Sequence, residues 1–301
     1  MTSTPKRDSA STGQRGGRPL ETRGGLPSVL ADIVASVRSG LPAAKARTPV
    51  AALDRLARDW TPQAALFAAA LSRPGRINVI GECKRRSPSA GVLRAQYQPG
   101  RIAEAYERAG AVAVSVVTEP AFFGGGLDHL REVRQAVGLP VLRKDFIVDP
   151  YQLYEARAAG ADAVLLIAAA LDDGELGTLL AEARRLGLAA LVEVHDDADL
   201  DRASGAGATL IGVNNRNLRT LEVDLSTGTR LAGRLPMGCV AVAESGIRSA
   251  EDLGRLRECG FDAFLIGGHL LTSPDPGAAL ADMLRAAEAA TGRAGEHPRC
   301  G

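Results

Sequence analysis

Four times along this 301-residue chain a helical stretch passes through a glycine straight into an apolar run. The four are Ala109-Gly-Ala-Val-Ala-Val, Ala159-Gly-Ala-Asp-Ala-Val, Ala206-Gly-Ala-Thr-Leu-Ile and Cys259-Gly-Phe-Asp-Ala-Phe. Their glycines, Gly110, Gly160, Gly207 and Gly260, are spaced by 50, 47 and 53 residues. A glycine just past a helix takes the left-handed conformation that ends it, and an uninterrupted apolar run behind it reads as a strand buried on both faces. Four further strand-like runs lie at 77–84, 140–144, 189–193 and 239–244, each set off from its neighbours by an amphipathic helical segment. Eight strand–helix units built as four similar pairs predict an α/β fold, a (β/α)8 TIM barrel. The alternative, an open doubly wound sheet, is disfavoured: no Gly-x-Gly-x-x-Gly follows the first strand, and the repeat is too even along the chain.

Such barrels typically take about 250 residues, so this chain has additions at its ends. Residues 1–27 are rich in Ser, Thr, Gly, Pro and Arg, with almost no large apolar side chains. A segment of that kind cannot offset the entropy of ordering and is expected to be a disordered tail. Lys6, Arg7, Arg15, Arg18 and Arg23 raise the alternative of an organelle-targeting peptide, against which Asp8, Glu21 and the glycines argue. From Ser28, a plausible N-cap, the apolar residues Val29, Leu30, Ile33, Val34 and Val37 recur at helical spacing. Two more helices are expected over 50–60 and 64–71, the latter with Thr61 as cap and Pro62 in its first turn. Together they form a helical extension at 28–75. The barrel with this extension is expected to span 28–290, leaving a flexible tail at 291–301.

Lysine and arginine number 36 against 35 for aspartate and glutamate, a formal balance of +1 that gives no reason to expect nucleic acid or an anionic membrane as partner. Any selectivity for an anion must therefore be local. Cys83, Cys239, Cys259 and Cys300 form neither a CxxC pair nor a metal-ligand spacing, and two of them fall in strand-like runs as small apolar residues. This pattern points to a reducing compartment and no metal. No apolar run reaches membrane-spanning length and the N-terminus lacks the apolar core of a secretory signal, so a cytoplasmic location is expected.

In a barrel of this type chemistry sits at the carboxyl ends of the strands. Those ends carry Glu82 and Lys84, Thr118 and Glu119, Lys144 and Asp145, an apolar Ile167-Ala-Ala-Ala, Glu193 and His195, Asn214 and Arg216, Glu244 and Ser245, and finally Gly267 and Gly268. Glu82 and Lys84 stand two apart and share a face, and burying them is costly unless they pair with each other or with a charged substrate. The plain alternative is a salt bridge inside the barrel. A loop at 85–99, punctuated by Pro88, Gly91 and Pro99, follows them, and loops of that length are usually functional or disordered.

Ser245-Gly246 and Gly267-Gly268 end the last two strands with backbone N–H groups free of side-chain obstruction, where barrels often hold a phosphate. Phe122-Phe123 precedes a glycine run in a protein with only 4% aromatic residues, which fits either a wall for a planar group or a packing anchor. Asp149-Pro150 caps the helix after the third strand. Lys144, ringed by other cations such as Lys84, is expected to have a lowered pKa and to serve as the catalytic acid; the same features suit the Schiff-base lysine of an aldolase. Glu193 and Glu82 supply flanking carboxylates, and Asn214 with Arg216 offers a grip for a carboxylate or hydroxyl. His129 is expected on a helix surface and His195 in a loop, both without special roles.

In order and spacing, six motifs carry a resemblance: Glu82-Cys-Lys84-Arg-Arg-Ser87-Pro88-Ser89, Val141-Leu-Arg-Lys144-Asp145-Phe146, Leu191-Val-Glu193-Val-His195, Gly212-Val-Asn214-Asn215-Arg216-Asn217, Ala243-Glu244-Ser245-Gly246 and Phe264-Leu-Ile-Gly267. Over roughly 28–290 the chain resembles the indole-3-glycerol phosphate synthase family of tryptophan biosynthesis. The resemblance implies a cofactor-independent lyase that converts 1-(2-carboxyphenylamino)-1-deoxyribulose 5-phosphate to indole-3-glycerol phosphate, carbon dioxide and water. It implies Lys144 as general acid, Glu193 as acid/base partner, and Lys84, positioned by Glu82, as an aid to proton transfer. Ser87, Asn214 and Arg216 would position the substrate and Phe123 and Phe146 would wall the anthranilate ring. Ser245, Gly246, Gly267 and Gly268 would take the phosphate. The N-terminal helices would help to close the site, and the protein would be a monomer or weakly associated with other enzymes of the pathway. Gly268-His269 departs from the small or acidic residue and serine expected after the last strand's glycine. A Schiff-base aldolase on a sugar phosphate and a non-catalytic barrel paralogue are the competing readings.

Overall fold

The computed structural model describes residues 28–58, 60–217 and 220–294 together with Met1. Apart from Met1, the tail expected at 1–27 therefore lies outside the described residues, as do 295–301. Eight strands, β1 (Asn78–Cys83), β2 (Ala113–Val117), β3 (Val141–Lys144), β4 (Ala163–Ile167), β5 (Ala189–Val194), β6 (Leu210–Asn214), β7 (Val240–Glu244) and β8 (Ala263–Ile266), pair in parallel, each with its sequence neighbours. β8 returns to β1 through Asn78↔Ala263 and Gly81↔Ile266, which closes the barrel. The four repeat glycines sit as expected behind their helices, with φ of 99° at Gly110, 90° at Gly160, 77° at Gly207 and 101° at Gly260.

Three helices precede β1: α1 (Ser28–Arg47), α2 (Val50–Leu56) and α3 (Ala64–Leu71). The second ends at Leu56 rather than at Trp60, because Trp60 turns to donate from Nε1 to the Ala161 carbonyl at 3.2 Å while its ring carries the Arg134 guanidinium. Thr61 is not the cap of α3. Gln63 occupies that position, and its backbone N–H donates instead to Asp162 Oδ1 at 2.9 Å. Asp162, buried just before β4, also accepts from Arg134 and from the backbone of Val141, so one carboxylate fastens α3 across the amino-terminal mouth of the barrel. Phe67, Ala70 and Leu71 of α3 are buried beneath the strands.

α1 lies at the other mouth, beside the short turn that follows β4. Tyr151 Oη stands 2.9 Å from the Ala44 carbonyl and 2.8 Å from that of Thr48, and Lys45 pairs with Asp149 at 2.7 Å. Asp149 is also the N-cap of the helix Pro150–Ala158, with a full capping box to Gln152. The last helix, Pro276–Ala294, continues past the boundary expected at 290. Among the described residues no helix is long and apolar enough to cross a membrane.

Candidate active site

In a strand every second side chain shares a face, and the last inward positions of the barrel strands carry the charges. Leu165, Ile167 and Leu265 line the deep wall of a cavity of about 540 Å³ at the carboxyl ends. Bordering it are Glu82, Lys84, Ser87, Phe123, Lys144, Phe146, Glu193, Asn214, Arg216, Ser245, Gly246, Gly267 and Gly268, so the site residues expected from the sequence converge on one space.

Lys144 Nζ donates to Glu193 Oε2 at 2.9 Å and to Glu244 Oε2 at 3.1 Å. Lys84 Nζ donates to Glu82 Oε1. This arrangement overturns the expected lowering of the Lys144 pKa. Burial does act against the ammonium, but the carboxylates of Glu193, Glu244 and Glu82 outweigh it and raise the group well above lysine's ordinary value. The cation meant to push it down, Lys84, has its own carboxylate. Glu82 and Glu193 are held below the usual carboxylate range: burial opposes this, but Lys84 and Lys144 prevail at Glu82, and Lys144 and His195 at Glu193. Glu244 goes the other way. Burial and the neighbouring Glu193 push it up to about 7 despite Lys144, and its Oε1 has no hydrogen-bond partner among the described residues.

Glu244 is the residue that sequence reasoning underused: it stands at a strand end beside Ser245, yet nothing in the sequence says that β7 turns it toward Lys144. Its room comes from Gly212 on β6, where any Cβ would overlap Glu244 Oε1. In the same way Gly267 leaves space for Glu82, whose Oε1 a Cβ there would overlap. Gly267 thus has a steric task besides offering a bare backbone.

Three of the polar strand ends are structural. Glu119, 1% exposed, is the N-cap of the one-turn helix Pro120–Phe123, accepting from the N–H groups of Ala121, Phe122 and Phe123. Thr118 donates to Asp145, which binds the buried Arg143 at 2.9 Å and accepts from the Phe146 N–H at 2.8 Å. The set holds the turn after Lys144 and with it the ring of Phe146. Phe123 and Phe146 then face each other with centroids 5.9 Å apart and planes tilted by 35°.

The 85–99 stretch is not irregular throughout. Arg86–Ser87 and Gly91–Val92 pair as a small antiparallel hairpin, Arg86 donates from Nε to the Phe122 carbonyl at 2.9 Å, and Arg94 donates to the carbonyls of Leu271, Ser273 and Pro274. Two arginines therefore stretch this loop from the Phe123 turn to the far side of the mouth. The Ser87 hydroxyl accepts from the Ala90 N–H at 3.2 Å within the hairpin.

On the opposite side, Ser245 and Gly246 have φ of 65° and 85°. A left-handed serine is unusual and costs on the order of 1 kcal/mol. Asn215 secures it, donating from Nδ2 to the carbonyls of Glu244 and Ser245 at 3.0 and 3.2 Å. Asn214 Oδ1 accepts from the Arg216 N–H at 3.0 Å, and Arg216 Nη1 donates to the Leu221 carbonyl at 2.7 Å. Gly268 and His269 are exposed at the rim, and the apolar face of α1 contributes Val29, Leu30 and Ile33 as a roof.

Both histidines lie on the elements expected of them, His129 on the helix Leu127–Ala136 and His195 in the loop after β5, but neither is a bare surface residue. His129 is half-buried, its ring set edge-on against Tyr97 at 5.2 Å. The side chain of His195 is 10% exposed, with Nε2 3.1 Å from Glu193 Oε1 and Nδ1 3.5 Å from Asp199 Oδ2. Cys239 lies one residue before β7 rather than within a strand, whereas Cys83 ends β1, fully buried. Among the described residues no group of three or more His, Cys, Asp or Glu side chains is arranged to hold a metal ion.

The sequence pattern of the family described as indole-3-glycerol phosphate synthase matches residues 30–283. An indole-3-glycerol phosphate synthase of Parafrankia sp. is 50% identical over 260 residues, covering 86% of this chain and 96% of the relative. One from Mycolicibacterium gilvum is 48% identical, covering 92% and 98%, and indole-3-glycerol phosphate synthase 2 of Streptomyces coelicolor is 48% identical, covering 86% and 100%. Among solved structures, a mandelate oxidase mutant with (S)-mandelic acid aligns with a TM-score of 0.56 at 17% identity, covering 80% of this chain and 93% of that one, a likeness of fold alone. With the family pattern spanning most of the chain and relatives near half identity over nearly their whole length, this chain belongs to the indole-3-glycerol phosphate synthase family.

Proposed function

We propose that the chain closes the indole ring of 1-(2-carboxyphenylamino)-1-deoxyribulose 5-phosphate, releasing carbon dioxide and water and leaving indole-3-glycerol phosphate. The observation that carries this reading is the Lys144 ammonium, held between Glu193 and Glu244 at the base of one cavity that has facing phenylalanines on one side and bare glycine backbone on the other. The substrate has the matching parts: an ionised phosphate, a planar ring, a carboxylate and a ketone.

The ring carbon bearing the carboxylate attacks the ketone carbon. The ketone oxygen gains negative charge as its π bond breaks, and Lys144 donates a proton to it. Because its carboxylate neighbours keep Lys144 protonated, it serves as a donor throughout the working pH range, and its proton passes as the oxygen becomes strongly basic. The bond to the carboxyl carbon then breaks, its electron pair restores ring aromaticity and carbon dioxide departs. In the dehydration that follows, the new hydroxyl leaves as water on receiving a proton from the Lys84 ammonium, and Glu193, ionised in the free site, takes the proton from the adjacent carbon. Lys84, tethered to Glu82, assists that proton transfer and balances the charge left behind. Phe123 and Phe146 wall the ring, Ser87, Asn214 and Arg216 position the substrate, and Ser245, Gly246, Gly267 and Gly268 take the phosphate.

A Schiff base would need Lys144 as a neutral amine, and two carboxylates on its Nζ oppose that. The test is turnover of the carboxyphenylamino-deoxyribulose phosphate followed by indole fluorescence, with Lys144→Ala as control. Turnover that the variant loses supports the reading. Absence of turnover by the natural chain overturns the reaction, and full activity of the variant overturns the role of Lys144.

A further inference from the structure

The floor of the cavity has an uneven charge count: Glu193 and Glu244 both contact Lys144, so two buried carboxylates share one ammonium. The other oxygen of Glu193 faces His195, which does not border the cavity. Its ring stands between two carboxylates, Glu193 near the end of the preceding strand β5 and Asp199 on the helix Asp197–Gly205. Asp199 is fixed in turn, accepting from the His195 backbone N–H at 3.1 Å, with Arg202 Nη1 3.8 Å from its Oδ1. Lys144 and Glu244 lie beyond Glu193 on the cavity side. Among the described residues no other charged side chain is within ion-pair distance of the ring.

Among the described residues neither ring nitrogen has a carbonyl, hydroxyl or well-aligned hydrogen-bond partner. A neutral imidazole has a lone pair on one nitrogen, and here the nitrogen that carries it would stand 3.1 or 3.5 Å from a carboxylate oxygen, depending on the tautomer. Only the doubly protonated ring carries a positive charge and a proton on each nitrogen beside both carboxylates. We propose that His195 is a positioning residue for the reaction: as an imidazolium between Asp199 and Glu193 it supplies the second positive charge of the buried floor and keeps Glu193 an ionised base turned toward Lys144. The electrostatics agree, since burial disfavours the charged ring but Asp199 and Glu193 outweigh it and push His195 up to about 9.

This inference rests on the activity proposed above and adds to it the residue through which Asp199 reaches the base. The test is His195→Gln, a neutral side chain of similar reach, compared with Asp199→Asn, which leaves every cavity residue in place. For His195→Gln, kcat at neutral pH is expected to fall about tenfold with KM within about twofold, and the acid limb of the kcat profile to move up by about one unit, as removal of an adjacent positive charge requires. Asp199→Asn should shift the limb in the same direction, and should have no further effect in the His195→Gln background. In the ligand-free protein, the imidazole C–H resonance that disappears on His195→Gln should remain untitrated from about pH 6 to pH 8, where an ordinary histidine titrates. An unchanged kcat profile in His195→Gln, beside an active natural chain, overturns the proposal. So does a His195 resonance that titrates near the ordinary value, a reading that needs no substrate. An inactive natural chain would instead count against the reaction itself, while the resonance still decides the charge of His195.

Discussion

Glu244→Gln tests the charge balance of the site without any substrate. Glu244 is 1% exposed, and burial and Glu193 raise its pKa from an ordinary 4.5 to about 7. A carboxyl whose folded pKa is raised keeps its proton longer folded than unfolded. Its contribution is fully present below pH 4.5, is lost progressively up to pH 7, and does not change above that. The gap corresponds to about 3 kcal/mol at about 1.4 kcal/mol per pH unit. Glutamine has nearly the same shape and no charge, so the variant escapes this loss. Urea unfolding of both proteins at steps from about pH 4.5 to pH 8 measures the difference. The variant should gain on the natural chain by about 3 kcal/mol across that interval and hold the gain above it. A pH-independent difference, or one that moves the other way, would refute the assignment of Glu244 as the buried carboxylate left over from the Lys144 pair.

Three further outcomes follow from the geometry. Lys144→Ala should lose nearly all turnover, at least about a thousandfold for a proton donor acting also as a buried electrostatic stabiliser, while still binding a product-like phosphate in a titration. Gly267→Ala places a methyl where Glu82 Oε1 now sits, so Glu82 must release Lys84; steady-state assays should show kcat reduced together with a raised KM, whereas Gly268→Ala, with open space around its Cα, should change far less. Tyr151→Phe removes the hydroxyl that stands against the Ala44 and Thr48 carbonyls, which should cost about 1 kcal/mol by chemical denaturation and raise KM through a loosened α1.

The sequence by itself determined the barrel. Gly110, Gly160, Gly207 and Gly260 end their helices in the left-handed region, and the apolar runs behind them have no other use than burial on both faces. It also placed the reactive residues, because a strand's period of two puts Glu82 with Lys84, and Asn214 with Arg216, on the same side whatever the rest of the chain does. The tertiary structure alone decided which charges meet. Lys144 pairs with Glu193 and Glu244, 49 and 100 residues away, and only barrel closure brings those ends within reach. That pairing reverses the expected pKa of Lys144, since the sign of the local field depends on which neighbours stand within a few ångströms and not on how many cations occur nearby in the chain. His195 shows the same limit from the other direction: its sequence context is that of a loop, and the Asp199 of the next helix together with Glu193 makes its site ionic. Periodicity and backbone freedom are local and can be read along the chain, whereas Coulomb interactions and burial depend on distances through space that folding alone sets.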